Sequence, residues 1–562
     1  MRISILLSSL FCFNIILVSI GNNSVFAGDN KNTPASLANS EDPNVLFKRK
    51  FYKEAIDKFM PIFEKDKENI DVAYKIGLCY LLGSIDYMKA VPFLKKAAES
   101  EKGDNDAYYM LGKAFHNALM FDNAITAYTK SLETLKDKTG DDVNEIKRNS
   151  QKAIDNCKFA RLIIDNPVDV SFENLGKDVN SQFADLDPCI TPNKTEMVFS
   201  SNRAEGNQCE KPRKLGYTFD AYMSIYKGGK WTKAINMGPS VNTPLNERVS
   251  SISSDASNMF LYIDNEESTK DGDIYVAISN GKAFSTPINL KGLINTGSEE
   301  SNASISQDGS MLYFASDRPG GSGAKDIYVA KRLPTGDWAA PKRLSNVINT
   351  IYNEDYPVIM PDDKTLYFAS QGHDNIGGYD IFKCEWVDTL NNWSEPENLG
   401  YPVNTPEDNF SISITEKLHE GYISAIRPEG MGDYDLYKII FNQASSAPYS
   451  IIRGKISNTD IDGINTDVAI TVINKKTQKL VSKFNISAKR KGSFFGIFYP
   501  GEYTFEITNA QSKPYKTDII VIDKNIRGDL LKKDFAIPSI IEPIVAPVEP
   551  PKKVVKKIKG KK

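Results

Sequence analysis

Five carboxylates, Asp185, Glu247, Glu300, Glu354 and Glu407, fall at one position of a repeated pattern when its units are aligned on their first strands. A carboxylate recurring at one place has two uses. It can accept hydrogen bonds from turn amides, or several together can gather a cation or a basic peptide. Placed at the start of successive innermost strands of a ring, five acids would circle one mouth of its channel. At about 10 Å in water each like-charge pair costs about 0.4 kcal/mol before salt screening, so such a ring is tolerable. The pattern therefore admits a basic partner segment docking at that mouth, with turn capping as the plainer use.

Other chemistry is sparse. Gly320-Gly321-Ser322-Gly323-Ala324 has part of a nucleophile-elbow pattern, but it lacks the second glycine at the required offset and lies in a turn between strands. Asn458-Thr-Asp460-Ile-Asp462-Gly463 begins like a calcium loop, yet Ala469 stands where a bidentate glutamate is needed. The three histidines, His116, His373 and His419, are scattered, and there is no Cys-x-x-Cys pair. The residues predict no catalytic centre, no cofactor and no metal, so the chain reads as a non-enzyme. A net charge of -3 gives no global reason to expect nucleic acid.

The elements that position the acids are themselves repeated. Asp220-Ala-Tyr222, Asp273-Ile-Tyr275, Asp326-Ile-Tyr328, Asp380-Ile-Phe382 and Asp435-Leu-Tyr437 follow at steps of 53, 53, 54 and 55 residues. A period of this size, filled with short alternating strands and turns such as Asp308-Gly309, is that of radially stacked four-stranded sheets. Each aspartate is expected to accept from turn amides, with one of the two following residues packing between sheets. Asn-Thr joints recur at Asn242, Asn295, Asn349 and Asn404. The last unit lacks an outer strand, which residues 170–176 are expected to supply, closing the ring and removing its edges. Five blades are expected over residues 168–441, or six if the first unit, with its Glu205–Gly216 insertion, hides another strand.

Around this ring the chain divides further. At 562 residues it is too long for one core. Residues 1–27 read as a signal peptide, with Val25-Phe26-Ala27 as its cleavage site, and 28–42 as a flexible leader. Phe11 before Cys12 argues against a lipid anchor, and no later segment is long and apolar enough to span a membrane. Residues 43–167 are helical, with Ala55, Ala90 and Ala124 at steps of 35 and 34, and Gly77 and Gly112 at 35. Residues 450–536 carry a new pattern, opening with Ile451-Ile452-Arg453-Gly454-Lys455-Ile456 and continuing at Val468-Ala-Ile-Thr-Val-Ile473. Residues 537–562 alternate proline with apolar residues and end in Lys552, Lys553, Lys556, Lys557, Lys559, Lys561 and Lys562. That basic end reads either as a contact for an anionic envelope component or as a solubilising tail. Cys189 and Cys209 are close enough in the pattern to bridge; free buried thiols are the alternative.

Several of these segments resemble known families. Ala73, Ile76, Gly77 and Tyr80, then Tyr108, Leu111, Gly112, Phe115, Ala124 and Tyr128, resemble the tetratricopeptide repeat. Leu312-Tyr313-Phe314-Ala315-Ser316-Asp317-Arg318 and Leu366-Tyr367-Phe368-Ala369-Ser370 resemble PD40-type, TolB-like propeller words. Tyr499-Pro500-Gly501-Glu502-Tyr503 resembles the turn of carboxypeptidase-regulatory-like sandwiches. This order is similar to PorE-like envelope proteins of Bacteroidota, although here Pro- and Lys-rich sequence stands where an OmpA-like domain usually follows. The resemblance implies a periplasmic, outer-membrane-associated adaptor of the type IX secretion or gliding machinery, binding envelope proteins through its helical and propeller surfaces. A glycan- or peptide-binding protein using the propeller mouth is the alternative.

Overall fold

The computed structural model describes residues 42–537, apart from 85, 166, 192–193, 210–215, 265–271, 282, 416–418, 443–449, 459–466, 487–492, 499–500, 510–511, 522–528 and 533. The signal peptide, the leader, the calcium-like loop around Asp460 and the lysine-rich tail lie outside the described residues.

Among the described residues seven helices come first: Pro43–Lys48, Tyr52–Lys65, Ile70–Leu82, Tyr87–Ala98, Ala107–Asn117, Phe121–Thr134 and Asp141–Ile164. Each packs on the next, and two glycines explain how closely. A Cβ on Gly77 would sit 2.6 Å from Leu94 Cγ, and one on Gly112 would sit 2.6 Å from the Tyr128 ring. The small residues at steps of 35 are therefore crossing points between neighbouring helices, and Leu94 at the first and the Tyr128 ring at the second fill the space left. Side-chain caps start several of the helices: Asn69 accepts from Val72 N and Asp86 from Lys89 N.

Five sheets follow. Their inner strands are Asp185–Ile190, Asn246–Ile252, Glu300–Ile305, Glu354–Ile359 and Ile412–Ile414. Each sheet runs outward through antiparallel neighbours, and the repeated Asp-x-Tyr words begin the third strands. In the fifth sheet the outer strand is Val170–Asn174, paired antiparallel with Asp435–Phe441, so the start of this region completes its last sheet.

Apolar clusters bury the sheets against one another in a closed cycle. Val198 and Met259 join the first and second sheets, and Phe260 and Phe314 the second and third. Ile327 and Phe368 join the third and fourth, Ile381 and Tyr437 the fourth and fifth, and Tyr422 and Phe199 return to the first. Sheets packed face to face in a cycle are the architecture of a β-propeller. Both residues after the repeated aspartate take part, not one as the sequence suggested. Ile327 packs toward the fourth sheet and Tyr328 toward the second, because successive side chains point to opposite faces.

The C-terminal region holds two further four-stranded sheets. One is built around Ser450–Asn458 and the other around Val468–Asn474 and Gly501–Asn509. They share a core that includes Ile452, Ile470, Phe498 and Phe505. All five described cysteines are buried and none is in a disulfide, so Cys189 and Cys209 are not bridged.

Candidate functional site

The two ends of the ring are chemically different. At the end where the inner strands start, one hydrogen-bond knot is built five times. Asn242 Oδ1 accepts from Ala221 N at 2.8 Å, and its Nδ2 donates to Ala221 O and to Asn236 Oδ1. Asn180, Asn295, Asn349 and Asn404 clamp Leu436, Ile274, Ile327 and Ile381 in the same way.

The acid column lies beside these knots. Glu300 accepts from Thr296 N at 2.7 Å, Glu354 from Thr350 N at 2.7 Å and Asp185 from Ser181 N at 2.6 Å, while Thr243 Oγ1 donates to Glu247. All four side chains are fully buried. They cap turns and do not form an exposed ring of charge.

Glu407 does not belong to the column. The equivalent residue is Asn409, whose Oδ1 accepts from Thr405 N at 2.7 Å. Alignment by charge placed Glu407 there; the turn geometry selects the side chain that reaches the threonine amide, charged or not. Glu407 instead accepts from Tyr87 of the helical domain.

Counter-charges split the column. Arg203 pairs with Asp185, and Arg318 with Glu300 at 3.1 Å. Each arginine also stacks over an aromatic pair, Phe199 with Tyr222 and Phe314 with Tyr328. In the fourth sheet His373 takes that place between Phe368 and Phe382, and its Nε2 meets Ile348 O at 2.8 Å. Glu354 has no ion-pair partner among the described residues, and burial pushes it up to about 7. Burial pushes Glu247 up to about 8. The repeated aspartates show the same contrast. Asp326 has Arg343 at 3.0 Å, whereas burial pushes Asp380 up to about 7 and Asp220 to about 6.

Deeper on the axis lies a charged network that the sequence reading missed. Arg248 binds Asp187 through two nitrogens at 2.7 to 3.0 Å. Lys325, buried, donates to Glu299 at 2.8 Å and to Asp355 at 3.2 Å, and Tyr262 donates to Glu299 at 3.1 Å. Asp187, Asn302 and Tyr356 lie at register shifts of the inner strands with φ of 55°, 39° and 53°, which turns their side chains out of the regular alternation. The only sequence signal was charge within runs that otherwise read as buried strand.

The helical domain is seated on this same end, over the fourth and fifth sheets. Lys152 Nζ donates to Gly372 O and His373 O, both at 2.9 Å, and Asn156 Nδ2 to Gly377 O at 3.0 Å. His116 Nε2 meets Ile376 O at 2.7 Å, and Ile376 is buried in the helical core. Burial pushes His116 down to about 4, so it stays neutral and donates to that carbonyl. The loop fits tightly on its ring side too: a Cβ on Gly377 would lie 2.1 Å from Pro406 O.

At the opposite end, the hairpins between inner and second strands surround an open funnel with a cavity volume of about 80 Å³. All five inner strands line it, through Ile190, Val249, Ile305, Val358 and Ile412. The hydroxyls of Ser250 and Ser411 are buried in its wall without a partner among the described residues. Among the described residues its one charged lining residue, Asp187, is already held by Arg248. The arrangement suits an uncharged, apolar ligand with a few hydrogen-bonding groups.

The fold and site together define a propeller-class protein with a helical domain fixed to one mouth and a neutral funnel at the other. No family model matches the sequence, and a search of curated proteins finds no match. Among solved structures, TolB from Acinetobacter baumannii is similar at 15% identity and a TM-score of 0.30, over 48% of this chain and 57% of TolB. The endo-arabinase from Bacteroides thetaiotaomicron is similar at 16% identity and 0.32, over 48% of this chain and 96% of the enzyme. An α-L-arabinofuranosidase from Lactobacillus brevis is similar at 12% identity and 0.31, over 46% and 90%. This chain thus spans little more than half of TolB, and likenesses at these scores carry no functional argument. Among the described residues, no helix is long and apolar enough to cross a membrane, and no group of three or more His, Cys, Asp or Glu could hold a metal ion.

Proposed function

We propose that this chain is a non-enzymatic adaptor of the cell envelope, acting in the periplasm at the outer membrane, within type IX secretion or gliding machinery. In this reading the helices are tetratricopeptide-like repeats and the five sheets are the blades of a PD40-type propeller. The C-terminal sheets are then a carboxypeptidase-regulatory-like sandwich. The observation that best supports it is the fixed seat of the helices on the ring, through His116, Lys152, Asn156 and Tyr87. Such a joint presents two docking surfaces at one set angle, which suits a scaffold. In-cell crosslinking with the tagged full chain tests it. Stoichiometric crosslinks to defined outer-membrane-associated proteins are expected, and a chain recovered only as a free monomer would overturn it.

A second reading, peptide or glycan binding at a ring mouth, moves to the hairpin end. The helices occupy the acid end, and the neutral funnel favours an apolar peptide over a charged glycan.

A further inference from the structure

A strand at the border of a sheet offers a row of backbone donors and acceptors to another chain. In the C-terminal region Ser512–Val521 is such a strand. It pairs with Gly501–Asn509 on one side, and with no strand on the other among the described residues. The opposite border of the same sheet, Leu480–Ile486, adjoins Ser493–Phe498 of the second sheet.

One bond fixes which way the backbone groups point. Lys475 N donates to Glu502 O at 2.8 Å, so the even-numbered residues of Gly501–Asn509 bond toward Val468–Asn474 and the odd-numbered ones toward the border strand. Tyr515, Thr517 and Ile519 pair with odd-numbered Ile507, Phe505 and Tyr503, and therefore bond inward. Pro514, Lys516, Asp518 and Ile520 turn their amide and carbonyl groups outward, and their side chains are all exposed. Proline sits where a border strand tolerates it, because its missing N–H falls on the open side.

The outward row is complementary to itself. Two copies laid antiparallel about a two-fold axis at Thr517 set Lys516 opposite Asp518 of the second copy, and Pro514 opposite Ile520. Lys516 N–H then donates to the second copy's Asp518 O, Asp518 N–H to its Lys516 O, and Ile520 N–H to its Pro514 O. Within one copy Lys516 meets Glu506 at 3.3 Å and Asp518 meets Lys475 at 2.7 Å. Across the joint the row therefore reads Glu506, Lys516, Asp518, Lys475, alternating in sign. Ile520, 62% exposed in the single chain, is covered. On the inner face Tyr515 comes opposite Ile519, both of which pack on the local apolar core. Moving the axis to the neighbouring outward residue on either side sets Lys516 against Lys516 or Asp518 against Asp518, and like charges directly opposite are destabilising. We infer that residues 514–520 pair with the same strand of a second copy, joining two chains through one continuous sheet. A two-fold joint of this kind occupies the border of both copies, so assembly stops at two. The inference goes beyond the adaptor reading and does not depend on it.

Light scattering of the full chain after size exclusion, over the micromolar range suited to a small interface, tests it. The parent should be dimeric. Lys516→Asp and Asp518→Lys should each weaken the dimer at least about tenfold, because like charges then meet twice across the joint. Mixed together, the two variants should dimerise again, since the acidic pair of one faces the basic pair of the other. In a second arm, Thr517→Cys places a thiol on the axis with about 4.5 Å between Cα atoms, and mild oxidation should link two copies. Pro514→Cys lies about 20 Å from its own counterpart and should not link. The five described native cysteines are buried and do not compete. Single charge variants as dimeric as the parent, or linkage through Pro514→Cys but not Thr517→Cys, would overturn the pairing. A monomeric parent would also overturn it, and would leave the border to an extended segment of another protein.

Discussion

Glu354 and Glu300 hold the same place in neighbouring sheets, yet replacing each by glutamine should have opposite results. Glu354 is fully buried without an ion-pair partner among the described residues, and its carboxyl is raised from an ordinary 4.5 to about 7. That difference corresponds to about 3 kcal/mol. Below pH 4.5 the group is protonated in folded and unfolded chains alike and costs nothing. Between pH 4.5 and 7 only the unfolded chain releases the proton, so stability falls as pH rises, then levels off. Glutamine removes that loss and keeps the contacts. Its oxygen can accept from Thr350 N, and its amide can donate to the Thr350 and Ser370 hydroxyls that the carboxylate now holds at 2.7 Å. Glu354→Gln should therefore match the parent near pH 4.5 and exceed it by up to about 3 kcal/mol at pH 8.5. All four tryptophans, Trp231, Trp338, Trp386 and Trp393, lie in the ring, so their fluorescence during urea unfolding reports this domain alone. A variant less stable than the parent at pH 8.5, or a difference constant across pH, would refute the reasoning.

Glu300→Gln removes the charge facing Arg318 and should cost about 1–3 kcal/mol by the same assay at neutral pH. Lys325→Met leaves Glu299 and Asp355 buried without their shared cation, and should cost about 3–5 kcal/mol at pH 7.5 and less as pH falls. Lys152→Ala combined with Asn156→Ala removes three bonds to ring carbonyls, about 3 kcal/mol at about 1 kcal/mol each. Faster hydrogen exchange at Ile376 and in the helix Asp141–Ile164, with unchanged tryptophan fluorescence, is the expected result. Gly112→Val drives a side chain into the Tyr128 ring and should lower the melting temperature followed by circular dichroism at the helical band.

The sequence carried the ring's periodicity because each sheet must solve the same local problems. An aspartate has to satisfy the turn before the third strand, and an asparagine has to clamp the joint. Those residues repeat in type, so they can be read. The closing strand at Val170–Asn174 was legible for the complementary reason, that the last unit lacked a partner for its edge. The axis was not legible. Asp187, Arg248, Lys325 and Asp355 come from different sheets and differ in type, so no repeat announces them, and only the folded ring brings them together. Glu407 misled because charge is an imperfect proxy for position: an uncharged Asn409 makes the same bond to the threonine amide. Nor could spacing reveal that the helices would sit on the acid end, since the carbonyls they bind, at Gly372, His373, Ile376 and Gly377, belong to backbone that any sequence possesses.

The pairing of Val170–Asn174 with Asp435–Phe441 also sets an order of events during synthesis. More than 260 residues separate the two strands, so a growing polypeptide holds the first of them unmatched until nearly the whole toroid has left the ribosome. A chaperone or an export channel that keeps this early segment extended would act on the step that completes the circle. A stalled product ending before Asp435 would display open strand borders at both sides, ready to join those of another stalled molecule.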